Sequence, residues 1–228
     1  MPHFLVDKEF PVLDKGLIKV IEIMGNDSSI VQAARVSYST GTKTVREDAK
    51  LINYLWRNQH TSPFEMPTIR LLVKAPIFVL RQWHRHRMAS YNEESARYSI
   101  VKDEYYVPSL EDICSQSTTN KQCRGEAFDK KKAQDVIDII NKSCADSVTN
   151  YQSLLALGVA RETARGVLSQ SMYSTMYFQM NLSNLLKFIR LRDDEHAQLE
   201  IRRYAHVILE EIVQKWTPVT YKAFKNKS

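Results

Sequence analysis

Strand-like and helix-like periodicities follow one another along this chain without the regular strand–helix alternation that a doubly wound parallel sheet requires. The run GLIKVIEIM, Gly16 to Met24, alternates apolar and polar positions as a half-buried strand does. Asn26-Asp27-Ser28-Ser29 reads as a helix start. Between Thr44 and Asn58, Val45, Ala49, Ile52, Leu55 and Trp56 recur at helical spacing ahead of a turn at His60-Thr61-Ser62-Pro63. Thr68 to Lys74 reads as a strand. Pro76, whose missing N–H costs nothing in a first turn, opens a helix expected to reach Arg87. The longest helical pattern runs from Ala133 to Leu157 and stops at Gly158, with a short helix carrying Arg161 and Arg165 after it. Ser171 to Met180 has strand character; Leu182 to Leu191 and His196 to Trp216 have helical spacing. The order predicts an α+β fold in which long helices flank a central, mostly antiparallel sheet. We expect one domain over 1–228, with a polar, variable connection at about 109–132.

With 43% hydrophobic and 25% charged residues the chain has the composition of a folded globular protein, not a disordered one. Its longest apolar stretch, Leu71 to Leu80, is interrupted by Lys74 and Pro76, and MPHFLVDKEF lacks the plan of a signal peptide, so neither membrane insertion nor secretion is expected. Cys114, Cys123 and Cys144 form no C-x-x-C pair and are odd in number, which fits a reducing cytoplasm better than a disulfide framework. A net charge of +6 suits either nucleic acid or phosphorylated small molecules. The six glycines include no G-x-G-x-x-G and no G-x-x-x-x-G-K-[ST], so any dinucleotide must be held by side chains.

The densest polar segment is RQWHRHRMASYNEESARY, Arg81 to Tyr98. Its bases alone would be explained by the negative end of a helix, a stabilisation of roughly 0.3–1 kcal/mol per cation. Asn92, Glu93, Ser95 and Arg97 follow at once, and this mixture suits a nucleotide. Arginine forks match phosphate oxygens, while carboxylate and amide groups address ribose and base edges. Glu93 and Glu94 would weaken a surface meant for a phosphate backbone, which counts against a nucleic-acid module built on the arginines and Trp83, Tyr91 and Tyr98.

Arg85-His86-Arg87, seven residues and Ser95 resemble the R-H-R-x7-S signature of the flavin-dependent thymidylate synthases, and Ser90, Asn92, Glu93, Arg97 and Tyr98 fall where that family has them. MGNDSSIVQAARVSY, HTSPFEMP and APIFVLRQWHRHR upstream, and GVARETARGVL, NLSNLLKFIRLR and HAQLEIRRYA downstream, are similar to further family segments. The resemblance implies reductive methylation of deoxyuridine monophosphate (dUMP) to dTMP, with 5,10-methylenetetrahydrofolate as carbon donor, FAD as electron carrier and NADPH as reductant. It also implies a homotetramer whose active sites draw on several chains. Carried over by position, Ser62, Arg85, His86, Arg87, Glu93, Asn181, Leu182, Ser183, Lys187 and His196 would contact FAD. Gln82, Trp83, His84, Arg85, Glu93, Glu94, Ser95, Ala96, Arg97, Arg165 and Arg192 would contact dUMP. Arg192 would be the catalytic guanidinium, stabilising the anionic pyrimidine ring by roughly 3–4 kcal/mol. Lys187, Ser183 and Ser169 depart from the residues frequent in relatives (Asn or His, Arg, and Pro), which bears on flavin contact more than on the reaction.

Other readings are blander. Ser95 lacks a third group to complete a nucleophilic triad. No cysteine lies in a resembling motif. Asp193-x-x-His196 is half of a helical di-metal pattern without its second half, so no metal is expected, and Asp193-Asp194-Glu195 reads as a charged helix start. Tyr173, Tyr177 and Phe178 read as core or subunit packing.

Overall fold

The computed structural model describes residues 3–36 and 45–226, and in it the alternating runs are strands. In chain order the strands are β1 (Glu9–Val12), β2 (Gly16–Met24), β3 (Thr68–Pro76), β4 (Ser90–Glu93), β5 (Cys114–Gln116), β6 (Arg124–Ala127) and β7 (Tyr173–Asn181). The helices are α1 (Asp27–Val36), α2 (Val45–Arg57), α3 (Ile77–Trp83), α4 (Lys130–Ala156), α5 (Arg161–Ala164), α6 (Leu182–Arg192), α7 (Leu199–Val207), α8 (Gln214–Trp216) and α9 (Pro218–Lys225). Strands β1, β2, β3, β7 and β4 lie side by side in that order, and every neighbouring pair is antiparallel. The architecture is α+β in a single domain.

One face of this sheet makes the core. Ile69, Leu71, Val73 and Ala75 of β3 and Met176, Phe178 and Met180 of β7 point into it, against Ile30, Ile52, Leu186, Ile201 and Phe224 of the helices. Each of the larger side chains stabilises the fold by roughly 1.5–3 kcal/mol through burial, Ala75 by less. A one-residue slip of β3 would turn Arg70 and Lys74 inward, so burial also sets the register. In place, Arg70 pairs outward with Glu22 at 2.8 Å and Lys74 with Glu104 at 2.8 Å.

Four expectations change. The helix that follows Pro76 ends at Trp83, not Arg87, because the Trp83 ring is locked among Phe178, Phe188 and Tyr204 while the chain turns back. Pro76 itself ends β3 and caps that helix. Helix α7 begins at Leu199, so Asp193-Asp194-Glu195 is no helix start; Asp193 caps the C-terminus of α6. The helical path from Leu199 to Trp216 carries a π turn at Ile208–Val213. Tyr173 and Phe178 are buried, as core packing requires, with the Tyr173 hydroxyl on Asp14 at 2.5 Å, while Tyr177 is 46% exposed on the outer face.

Between Ser109 and Lys132 lie a short 3₁₀ turn, Leu110–Asp112, and the β5–β6 hairpin. The segment is fastened: Asp112 is buried and takes both arms of the Arg203 guanidinium on α7 at 2.7 Å each. Helix α4 starts at Lys130, capped by the Asp129 carboxylate on the Lys132 N–H, and Gly158 at φ +81° ends its last turn. Among the described residues no helix is long and apolar enough to cross a membrane.

Candidate active site

The signature occupies the reversal from α3 into β4. Past Trp83 the backbone tightens: Arg85 N–H reaches the Gln82 carbonyl at 3.3 Å, and His86 N–H the Trp83 carbonyl at 3.0 Å. The Tyr91 hydroxyl then donates toward the carbonyls of Trp83 (3.1 Å) and His86 (2.7 Å), pinning the turn to β4. Burial raises this phenol to about 12, which keeps it a donor at neutral pH. His84, Arg85, His86 and Arg87 therefore project from a turn, not from a helix.

Strand β4 adds to the edge of β7 and carries Glu93, which accepts from the Ser174 hydroxyl at 2.7 Å and faces His84 Nε2 at 3.8 Å. After it, Glu94 N–H bonds the Thr175 carbonyl at 2.9 Å, and Ser95 Oγ accepts from Arg97 N–H at 3.3 Å. This loop docks on α5, where Arg97 pairs with Glu162 at 3.2 Å and Arg161 donates to the Tyr98 carbonyl at 2.8 Å. The result is a cleft of about 280 Å³ walled by Arg81, Glu93, Glu94, Ala96 and Arg165 over Ile77 and Tyr173. A second hollow, about 460 Å³, shares Ile77, Arg81 and Glu93 with it and adds His84 and Arg85. Six of the residues expected at a nucleotide thus line two adjoining clefts. Arg81, not assigned beforehand, lines both.

Arg192 stands apart from these walls, at the last turn of α6. Its Nε donates to His86 Nε2 at 2.9 Å and its Nη2 to the Gln82 carbonyl at 3.1 Å. Accepting at Nε2, His86 is neutral with its proton on Nδ1; burial, and then the charge of Arg192, lowers its pKa to about 4. Burial also lowers the pKa of Arg192. The half-buried guanidinium keeps Nη1 unspent for a ligand.

The residues assigned to the flavin spread along α6. Asn181 caps it, its Oδ1 accepting from Asn184 N–H at 2.9 Å, which leaves its amide nitrogen available. Ser183 is 2% exposed, and its buried Oγ has no partner among the described residues; it lines a small hollow of about 40 Å³ with Thr61, Lys187 and Arg190. An orphan hydroxyl beside two cations fits an anionic group such as a diphosphate. Ser62 is exposed at the start of a 3₁₀ turn next to this hollow's Thr61. Arg87 is exposed in the turn, and His196 is exposed with Nδ1 2.9 Å from Asp194. Two assignments lose their side chains. Leu182 is fully buried and its N–H is taken by the Pro67 carbonyl at 2.8 Å; Trp83 is 0% exposed, so only its main chain can approach a ligand. Asp193 is engaged by His206 at 3.3 Å. The sequence assigns no site role to Arg81, Arg190 or Gln198, and it offers Glu200 only as part of the metal pattern with Asp193, Glu195 and His196; the two arginines are at least signalled by charge beside an assigned residue.

A family model described as "Thymidylate synthase complementing protein" matches residues 19–219. Over 217 residues the chain is 50% identical to a flavin-dependent thymidylate synthase of Ehrlichia ruminantium (strain Gardel), covering 95% of this chain and 73% of that protein. The chain belongs to the flavin-dependent thymidylate synthase family. A flavin-dependent thymidylate synthase of Wolbachia pipientis wMel is likewise 50% identical, with 95% of this chain and 76% of that one covered. Among solved structures, a UMP/dUMP methylase PolB from Streptomyces cacaoi bound with 5-Br dUMP superposes with a TM-score of 0.86 at 32% identity, over 95% of this chain and 97% of that one. In this flavin-dependent thymidylate synthase family member the cationic signature lies on the reversal from α3 into β4, held by the Tyr91 hydroxyl on the Trp83 and His86 carbonyls.

Proposed function

We propose that this chain methylates carbon 5 of dUMP to give dTMP, with 5,10-methylenetetrahydrofolate as carbon donor, FAD as hydride carrier and NADPH as the reductant of the flavin. The observation that carries the reading is the half-buried Arg192 guanidinium held on His86 and Gln82 beside the signature turn. Carbon 5 of uracil is a weak nucleophile, and a guanidinium at the N3 side of the ring favours the anionic form that attacks. In a partly dry site such a fixed donor is worth roughly 3–4 kcal/mol in the transition state. Arg81, Arg85 and Arg165 supply the phosphate with cations, and Glu93 and Glu94 supply acceptors for hydroxyls. FAD, when bound, carries the hydride that completes the methyl group. Asn181, Ser183 and Lys187 along α6 hold it, and Leu182 packs beneath them in the core with its N–H on the Pro67 carbonyl.

Asn181 and Arg192 sit at opposite ends of the eleven-residue α6, about 16 Å apart at 1.5 Å per residue. One elongated ligand, or a site completed by a neighbouring subunit, joins them. Exposed Met88, Tyr98 and Ile100 around the signature support self-association; the homotetramer with shared sites, and its place in the cytoplasm, are what the family resemblance adds to this reading.

Tritium release from [5-³H]dUMP in the presence of folate, FAD and NADPH tests the reaction directly. Release that needs neither FAD nor NADPH, or no release from a protein that binds FAD, rejects it. A parallel assay with UMP tests whether the site also takes the ribonucleotide, as PolB does by its name.

A further inference from the structure

Gln82 is the outer end of a chain of side-chain hydrogen bonds that begins at a buried carboxylate. Glu200, on α7, is 3% exposed. It accepts from the Tyr106 hydroxyl at 3.3 Å, from the Arg124 guanidinium on β6, and from Gln198 Nε2 at 2.8 Å. A carboxylate facing an arginine has only lone pairs to offer. Gln198 must therefore turn its nitrogen to Glu200 and its oxygen away, and that oxygen accepts from Gln82 Nε2. The direction of one amide dictates the direction of the next. Gln82 is left with its carbonyl oxygen Oε1 unbonded among the described residues, while the main-chain carbonyl of the same residue holds Arg192.

We infer that Glu200 is a positioning residue which, through Gln198, fixes the polarity of the Gln82 amide so that Gln82 offers the pyrimidine nucleotide a hydrogen-bond acceptor. This rests on the reading of Gln82 as a dUMP contact. An amide free to flip presents nitrogen or oxygen at little cost, and half of its orientations meet a donor on the ligand with a donor of its own. The carboxylate removes that freedom from a distance of two side chains. Arg124 belongs to the β5–β6 hairpin, which Asp112 staples to Arg203, so the polar connection supports the nucleotide site through Glu200.

The test is a double-mutant cycle on the FAD-loaded enzyme, read as the Kd of dUMP by calorimetry and as KM and kcat separately. Glu200→Gln can present a nitrogen where the carboxylate presented an oxygen, which lets Gln198 and Gln82 flip. In the wild-type background it raises Kd and KM about five- to tenfold with kcat nearly unchanged. In a Gln82→Leu background, already weakened, it has no further effect. Equal losses in both backgrounds would show that Glu200 merely supports the fold, and no loss in either would remove the relay; each overturns the inference. Wild-type enzyme that does not bind dUMP overturns the functional reading and the inference together. Binding that Gln82→Leu leaves intact overturns the inference alone.

Discussion

Arg192 Nε lies 2.9 Å from His86 Nε2, so a histidine of the signature acts as the acceptor that aims the arginine. The two residues are 106 positions apart, and their contact, with the Phe188 ring against the His86 ring, joins α6 to the turn after α3.

The contact predicts a pH dependence. His86 binds its proton at about 4 in the folded chain and near 6.5 when unfolded, so between these values the unfolded state carries more protons. Stability contributed by the neutral ring is complete above pH 6.5, falls as pH drops and is fully lost below 4. Allowing for the half-exposed ring, the loss is about 1–2 kcal/mol. Denaturant unfolding at pH 4.5 and 7 shows a smaller difference for His86→Asn than for wild type; equal differences would contradict the assignment.

Arg192→Ala leaves FAD bound and lowers turnover by roughly 10²–10³, the loss expected of a donor to developing charge. Single-turnover methylation with absorbance-matched flavin content measures this. Unchanged kcat would take Arg192 out of the chemistry.

Ser183→Ala has opposite effects on stability and on binding. Removing an unpartnered buried hydroxyl relieves a penalty of about 1 kcal/mol, so the FAD-free protein melts higher, while FAD binds more weakly. Melting curves without flavin and a flavin titration read both. A variant that binds FAD as wild type does would place the diphosphate elsewhere.

Trp83→Phe keeps dUMP affinity within about twofold and costs about 1–3 kcal/mol of stability, because the indole packs on Phe178, Phe188 and Tyr204 and touches no cleft. Loss of affinity in a folded variant would give the ring a binding role.

Local pattern made most of this fold legible. The alternation at Gly16–Met24 and Thr68–Lys74 has one physical outcome when one face is buried, and the 27 residues of α4 carry helical spacing throughout. What escaped was non-local. Ser90–Glu93 is polar and is a strand only because β7 offers it an edge; Cys114–Gln116 and Arg124–Ala127 are too short to show a period. The early stop at Trp83 depends on rings contributed by β7, α6 and α7. At the site, the family resemblance singles out Arg85, His86, Glu93 and Arg192, of which the fold brings His86 and Arg192 into contact, but no spacing reveals that Leu182 is sealed in the core or that Glu200 governs Gln82 through Gln198. The tail of the segment MGNDSSIVQAARVSY, Ser37 and Tyr38, lies outside the described residues.

Asp27, at the start of α1, accepts from the backbone of Val219 and Thr220 and from the Thr220 hydroxyl at 2.6–3.1 Å. The carboxylate is thus a clasp across more than 190 residues, and during synthesis it has nothing to hold until the last helix leaves the ribosome. Until then only the local caps, Asn26 on the Ser28 N–H and Ser29 on the Asn26 N–H, hold the first turn of α1, and the carboxylate stays open to water. A deletion that removes α9 would accordingly be felt at α1, as faster proteolytic nicking around residue 27.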